Sequence, residues 1–290
     1  MSERRERFRA MGTDVEVLGP AVPRFAEAAD RVRGIFAREE RRFSRFLPTS
    51  ELSRVNARAG RRTPVSPSFA AVAAESLRAA RETDGLFDPT VLPALIAAGY
   101  DRDIEEVRRA PAAPRPSRAA GRGSDVEVGR GWVRLPAGAG LDLGGIAKGW
   151  TVDAAALAAW RILPWVVVNA GGDLRLEGER PDPLEVGVED PTDGDAFVVR
   201  LRLEAGALAT SSIARRSWGP GLHHLIDPRT GLPASTGVLQ ATACASTCTR
   251  AEVLAKTLLL SGPSALGSIP GVLVTEHDVL TSVEPSAVAA

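Results

Sequence analysis

Four short stretches of this chain set glycine, carboxylate, histidine or lysine at spacings that could do chemistry. The densest runs Leu141-Asp142-Leu143-Gly144-Gly145-Ile146-Ala147-Lys148-Gly149-Trp150. Its two glycines precede a helix start, and its lysine falls in the first turn. Free amides, the positive end of a helix and an ammonium together make an anion site suited to a diphosphate. A Gly-Gly turn before a helix also serves as plain structure. The stretch is not a P-loop, because the Gly-Lys-Ser/Thr ending is absent.

The second stretch, His224-Leu225-Ile226-Asp227-Pro228-Arg229-Thr230-Gly231, sets a histidine and a carboxylate on either side of an apolar pair, at the mouth of a Pro-Gly turn. Such a pair can orient, donate or accept a proton. The alternative is a turn in which Asp227 binds its own backbone. The third, Asp84-Gly85-Leu86-Phe87-Asp88-Pro89-Thr90, offers the Phe87 ring and a carboxylate, and reads equally as a turn with Asp88 capping the next helix. The fourth, Asn169-Ala170-Gly171-Gly172-Asp173, follows an apolar strand. It lets a ligand or another backbone approach closely, or is simply a turn.

The elements that must position these stretches follow from hydrophobic period and turn chemistry. Residues 7–19 alternate loosely as a first strand, and Pro23 to Phe46 carries apolar residues at helical spacing. After a turn at Leu47-Pro48-Thr49 comes a short helix through Leu52 and Val55. Ser66 and Pro67 open a helix that the Asp84-Gly85 turn ends, and a further short helix runs through Leu95. The Pro-, Ala- and Arg-rich segment 111–124 reads as a flexible surface loop. A hairpin over Val126–Leu135, a helix over Lys148–Trp160 and strands at Trp165–Asn169, Asp173–Leu176, Leu184–Val188 and Phe197–Leu203 follow. A helix over Thr249–Leu260 and closing strands at Gly271–Thr275 and Asp278–Thr281 complete the chain. Irregular mixing of strands and helices argues for an α+β fold rather than a doubly wound parallel sheet.

Composition narrows the function further. The 290 residues are 44% apolar, enough for one large domain or two intimately packed ones. Acidic and basic residues balance at 36 each, which gives no electrostatic case for nucleic-acid or membrane-surface binding. No apolar run approaches the roughly 20 residues of a transmembrane helix. Met1 to Ala10 lacks the apolar core of a signal peptide, so the cytoplasm is the expected location. Cys244 and Cys248 read as small buried fillers. Lys148 and Lys256 are the only lysines in a chain that otherwise uses arginine, which suggests positions needing a compact ammonium.

The order of the blocks carries more than any block alone. Met11-Gly12-Thr13, Ser50-Glu51-Leu52-Ser53-Arg54-Val55-Asn56 and Gly85 to Thr90 resemble the early blocks of the ApbE-type FAD:protein FMN transferases. Asp142 to Gly149, Asn169 to Asp173, Ala209-Thr210-Ser211 and His224 to Gly231 resemble the later blocks, in the same order. The resemblance spans residues 8 to 262 of what it implies is a single flavin-transferase domain over 1–290. It implies two lobes with mixed sheets around an FAD cleft, cleavage of FAD with magnesium, and attachment of FMN through a phosphoester to a Thr or Ser of an acceptor flavoprotein. By similarity Met11, Leu86, Phe87, Asp88 and Ile226 contact FAD, and Phe46 stands near the position of a flavin-stacking aromatic. Asp142 and Lys148 hold the ribose or phosphate region, and His224 and Asp227 occupy the motif linked to catalysis.

The late helix departs from the family. The usual pattern there is Asp-x-x-x-Thr, which binds the metal together with a backbone carbonyl that Gly145 would supply. This chain has Glu252 and Lys256. Ser212 is a second departure, standing where the family usually has Gly. In one account Thr249 to Glu252 is a capping box and Glu252–Lys256 a helix-surface ion pair worth roughly 0.2–0.5 kcal/mol. In the other, the Lys256 ammonium stands where magnesium would sit and meets the FAD diphosphate directly. The pair therefore bears on three functions: a transferase, an FAD pyrophosphatase, and a flavin-binding protein that sequesters FAD.

Overall fold

A computed structural model of the chain describes residues 2–111, 113–115 and 123–283. Most of the expected 111–124 loop lies outside the described residues. The chain forms two compact units, one of residues 1–40, 146–211 and 238–290, the other of residues 41–145 and 212–237. The fold is α+β, as the sequence predicts.

The first unit is built on an eight-stranded sheet. Its strands lie in the order Glu3–Ala10, Thr13–Pro20, Trp165–Ala170, Asp173–Gly178, Gly206–Ser212, Val238–Ala245, Gly271–Thr275 and Val279–Thr281. Trp165–Ala170 is buried on both faces. Val166, Val168 and Ala170 pack with Phe25, Val32, Phe36, Ala155 and Ala159 of the helices. Trp165 and Val167 pack on the other side with Val188, Leu201 and Leu203. The last three belong to a separate hairpin, Leu184–Glu189 with Phe197–Leu203.

Three expectations need correction here. Residues 7–19 are not one strand but the two arms of a hairpin, with Ala10 opposite Thr13. Met11 and Gly12 form its turn at φ 51° and 70°. A two-residue loop whose twist matches the flanking strands needs positive φ at both positions. Met11 takes this unusual conformation while its N–H donates to Glu40 at 3.0 Å. The strands Gly206–Ser212 and Val238–Ala245 were not anticipated. Val238–Ala245 is mostly Ala, Thr and Cys, and it shows neither alternation nor bulk for a period to register. The helix Cys248–Ser261 is capped by Thr247, whose side chain accepts from Arg250, and not by Thr249. Thr249 is instead bound to Asp153 through both its N–H and its hydroxyl.

The helices Ala147–Trp160 and Cys248–Ser261 meet closely because small residues line the contact. A Cβ on Gly149 would stand 2.6 Å from the Cys248 carbonyl oxygen. Gly149→Ala is therefore expected to destabilise the fold by about 1–3 kcal/mol through overpacking, despite alanine's better helix propensity. Urea unfolding checks this, and an unchanged or raised midpoint would show that the two helices separate freely.

The second unit holds the helices Glu51–Ala57, Pro67–Glu82, Leu92–Ala97 and Ile104–Arg109, a small three-stranded sheet, and two short hairpins within residues 217–233. Its local sequence explains its shape. Ser50 and Ser66 cap their helices by accepting from Ser53 and Phe69. Asn56 clamps Leu141, donating to its carbonyl at 2.9 Å and accepting its N–H at 2.8 Å. The Ser50–Asn56 block thus holds the backbone beside Asp142. Asp88 does not cap a helix: the helix begins at Leu92, and the Asp88 carboxylate closes a turn onto the Thr90 N–H and hydroxyl.

Candidate functional site

In the first unit the site centres on charge. The Lys148 ammonium pairs with the Asp173 carboxylate, and the Glu252 carboxylate accepts from the Lys256 ammonium at 3.2 Å. Glu252 also accepts the Gly149 N–H at 2.8 Å, so one free amide of the expected helix-start cradle is already occupied. The side chains of Asp173 and Glu252 are 1% and 3% exposed, while both lysines keep 16%. Burial opposes the charge on Lys148. The fields of Asp173 and Glu252 outweigh it and hold the pKa above the ordinary lysine value. Asp173 also accepts the Thr210 N–H at 3.4 Å, which ties the Asn169–Asp173 and Ala209–Ser211 blocks to the same place.

One turn along the helix, Asp153 organises the neighbouring backbone. It accepts from the Cys248 and Thr249 amides and from Arg175. Its role left no mark in the sequence, where it is one carboxylate in an alanine-rich helix. Cys244 and Cys248 are both free and buried; burial pushes the Cys244 thiol up to about 12 and Cys248 well above its usual value. These are packing residues, as the sequence suggests.

In the second unit Asp142 is held from two sides. Its carboxylate accepts the Gly144 N–H at 2.7 Å and meets Arg45 at 3.0 Å. Its own N–H donates to the Pro89 carbonyl at 2.7 Å, which places the Asp88 turn beside it. Arg45 lies over the rings of Phe46 and Tyr100, at 4.2 and 4.3 Å from their centroids, and Tyr100 stacks on Trp218 at 5.2 Å. Sequence reasoning missed Arg45, because an arginine after a helix end carries no periodic signal. Phe46 is 39% exposed, whereas Phe87 and Ile226 are buried at 5%. Of the two predicted aromatics Phe46 is therefore the one open to a ligand, and Phe87 is an interior residue.

The two adjacent histidines differ. His223 is buried; it accepts the Leu225 N–H at Nδ1 and donates from Nε2 to the Ala234 carbonyl. Burial lowers its pKa, against the carbonyl that favours its proton. His224 is half-buried, with its backbone N–H on the Arg216 carbonyl at 3.2 Å. Asp227 accepts from the Arg229 N–H and guanidinium, which hold its carboxyl below the usual range. The backbone-binding turn foreseen as the alternative role for Asp227 is thus present.

Comparison with known proteins fits this arrangement. The ApbE family model matches residues 11–269. An FAD:protein FMN transferase of Rhodobacter capsulatus is 31% identical over 89% of this chain, and the chain spans 51% of that relative's length. One from Haemophilus influenzae is 28% identical over 80% of this chain and 72% of its own. Among solved structures, the ApbE protein of Thermotoga maritima superposes with a TM-score of 0.84 at 25% identity, over 97% of each chain. With the family pattern running through both units, this chain belongs to the ApbE family.

Proposed function

We propose that the chain is an FAD:protein FMN transferase. The observation that carries this is its likeness, over 89% of its length, to a relative named for that activity. In the reaction, a Ser or Thr hydroxyl oxygen of an acceptor flavoprotein bonds to the FMN phosphorus. The phosphorus–oxygen bond to AMP breaks, and AMP leaves with the bridging oxygen. The hydroxyl proton passes to the His224 imidazole and then to solvent. Asp227, kept ionised by Arg229, holds the turn that carries His224. Phe46 stacks on the flavin, backed by Arg45 and Tyr100. Met11, Leu86 and Asp88 complete its contacts, and Phe87 and Ile226 shape the wall from beneath. Asp142 takes the ribose, and Lys148 takes the diphosphate. The two free thiols suit a reducing compartment, and we assign the protein to the cytoplasm on that ground.

The donor set does not fit magnesium at Glu252. Both its oxygens already accept, one from Gly149 and one from an ammonium that would repel a divalent ion. Among the described residues no three His, Cys, Asp or Glu side chains gather to hold a metal. The Gly145 carbonyl alone does not make a magnesium site. The occupied Glu252 also favours a second reading, a protein that holds FAD without cleaving it.

Co-production with a candidate acceptor flavoprotein separates the readings. A fluorescent acceptor band on a denaturing gel, absent without this chain, is the expected result. FAD that co-purifies and stays intact, with no labelled band, would favour sequestration. Release of free FMN and AMP would favour a pyrophosphatase.

A further inference from the structure

We propose that Lys256 supplies, from inside the fold, the positive charge that lets this chain bind the FAD diphosphate without a divalent cation. The inference rests on the reading that the chain binds FAD. The only two lysines of the sequence meet in one cluster with two carboxylates. The cluster is formally neutral, but its charges are not equally placed. The Asp173 and Glu252 side chains are almost fully buried while both lysine side chains keep 16% exposure, so the lysines are the more accessible partners of each pair. Two compact cations held this way match the two charges of a diphosphate.

The four groups are also interdependent. Lys148 is held charged by Glu252 as well as by Asp173, and Asp173 feels Lys256 as well as Lys148. Arginine serves charge everywhere else in the chain. At this i,i+4 position the ammonium donates to one Glu252 oxygen while the other receives the Gly149 amide. The surface ion pair considered from sequence is largely buried, and its Glu252 carboxylate is bound to the backbone next to Lys148. Burial raises what such a charge does to a ligand, because solvent screens it less.

The test measures FAD and riboflavin affinity by flavin fluorescence, in EDTA and in magnesium. Wild type is expected to bind FAD equally, within about threefold, in the two conditions. Glu252→Gln with Lys256→Met removes both charges while the amide oxygen still accepts from Gly149. It is expected to lose about tenfold or more of its FAD affinity in EDTA and to keep its riboflavin affinity. Glu252→Asp with Lys256→Thr is expected to acquire a Mn2+ site visible by electron paramagnetic resonance, which wild type lacks. Melting curves confirm that each variant is folded. Wild-type FAD affinity that rises tenfold with magnesium, or a Gln/Met variant that binds FAD like wild type in EDTA, would overturn the proposal and leave the transferase reading standing. Failure of wild type to bind FAD in either condition would remove the transferase reading itself.

Discussion

Replacing Lys148 by methionine is expected to weaken FAD binding by about tenfold or more, at least about 1.4 kcal/mol, with little change for riboflavin. Both ligands carry the same ring, so the difference reports on the diphosphate and adenosine, and only the diphosphate carries charge for an ammonium to meet. The same change should also destabilise the protein. It leaves Asp173 buried without its counter-ion, and breaking a buried pair costs about 3–5 kcal/mol. Lys256 acts on Asp173 as well, which keeps the loss toward the lower figure. Because the folded pKa of Lys148 is raised, the lysine's own contribution is present at neutral pH and is lost as pH rises through that value, while burial, which raises the Asp173 pKa, works against it. Adding Asp173→Asn should recover stability without recovering FAD affinity. Equal loss for FAD and riboflavin, or recovery of both properties together, would reduce Lys148 to a structural residue.

The two neighbouring histidines give the second large effect. His224→Ala is expected to lower FMN transfer by about 10²–10⁴-fold, the usual worth of a positioned acid or base. Its stability should shift by only about 0.5 kcal/mol, the scale expected at a half-buried position in a polar turn. His223→Ala should do the reverse. It removes two buried hydrogen bonds and leaves the Leu225 N–H and Ala234 carbonyl unsatisfied, at about 1–3 kcal/mol for each group. His223 also makes stability pH-dependent. Its folded pKa is lowered, so its contribution is present above the ordinary value of 6.5 and is lost as pH falls through the folded value. Urea unfolding at two pH values and transfer rates for both variants check the contrast. A His224→Ala protein that transfers normally but unfolds easily would exchange the two roles.

What the sequence made legible were features with a local cause. Ser66-Pro67 opens its helix and Asp84-Gly85 closes it, because capping and positive φ are decided within a few residues. Trp165 to Asn169 reads as a buried strand because its apolar run leaves no polar alternation, and the strand extends one residue further, to Ala170. What was hidden depends on partners distant in sequence. Asp153 ties down the start of a helix 95 residues later, and Asn56 holds Leu141 across 85. Neither has a spacing rule to reveal it. Met11-Gly12 was read as strand because its neighbours alternate through it, and only the pairing of Ala10 with Thr13 exposes the turn. Of the site, the Gly-Gly block, the Asn169–Asp173 loop and the His224–Gly231 turn could be located from sequence. That Lys148 and Lys256 share one buried cluster could not, because they stand 108 positions apart, 256 less 148.

The most direct measurement combines purified protein, FAD and an acceptor flavoprotein carrying a candidate Ser or Thr, followed by intact mass and by AMP. The account expects the acceptor to gain one FMN through a phosphoester, with one AMP released for each FMN attached. FAD that remains whole, or AMP released while the acceptor mass is unchanged, would contradict it.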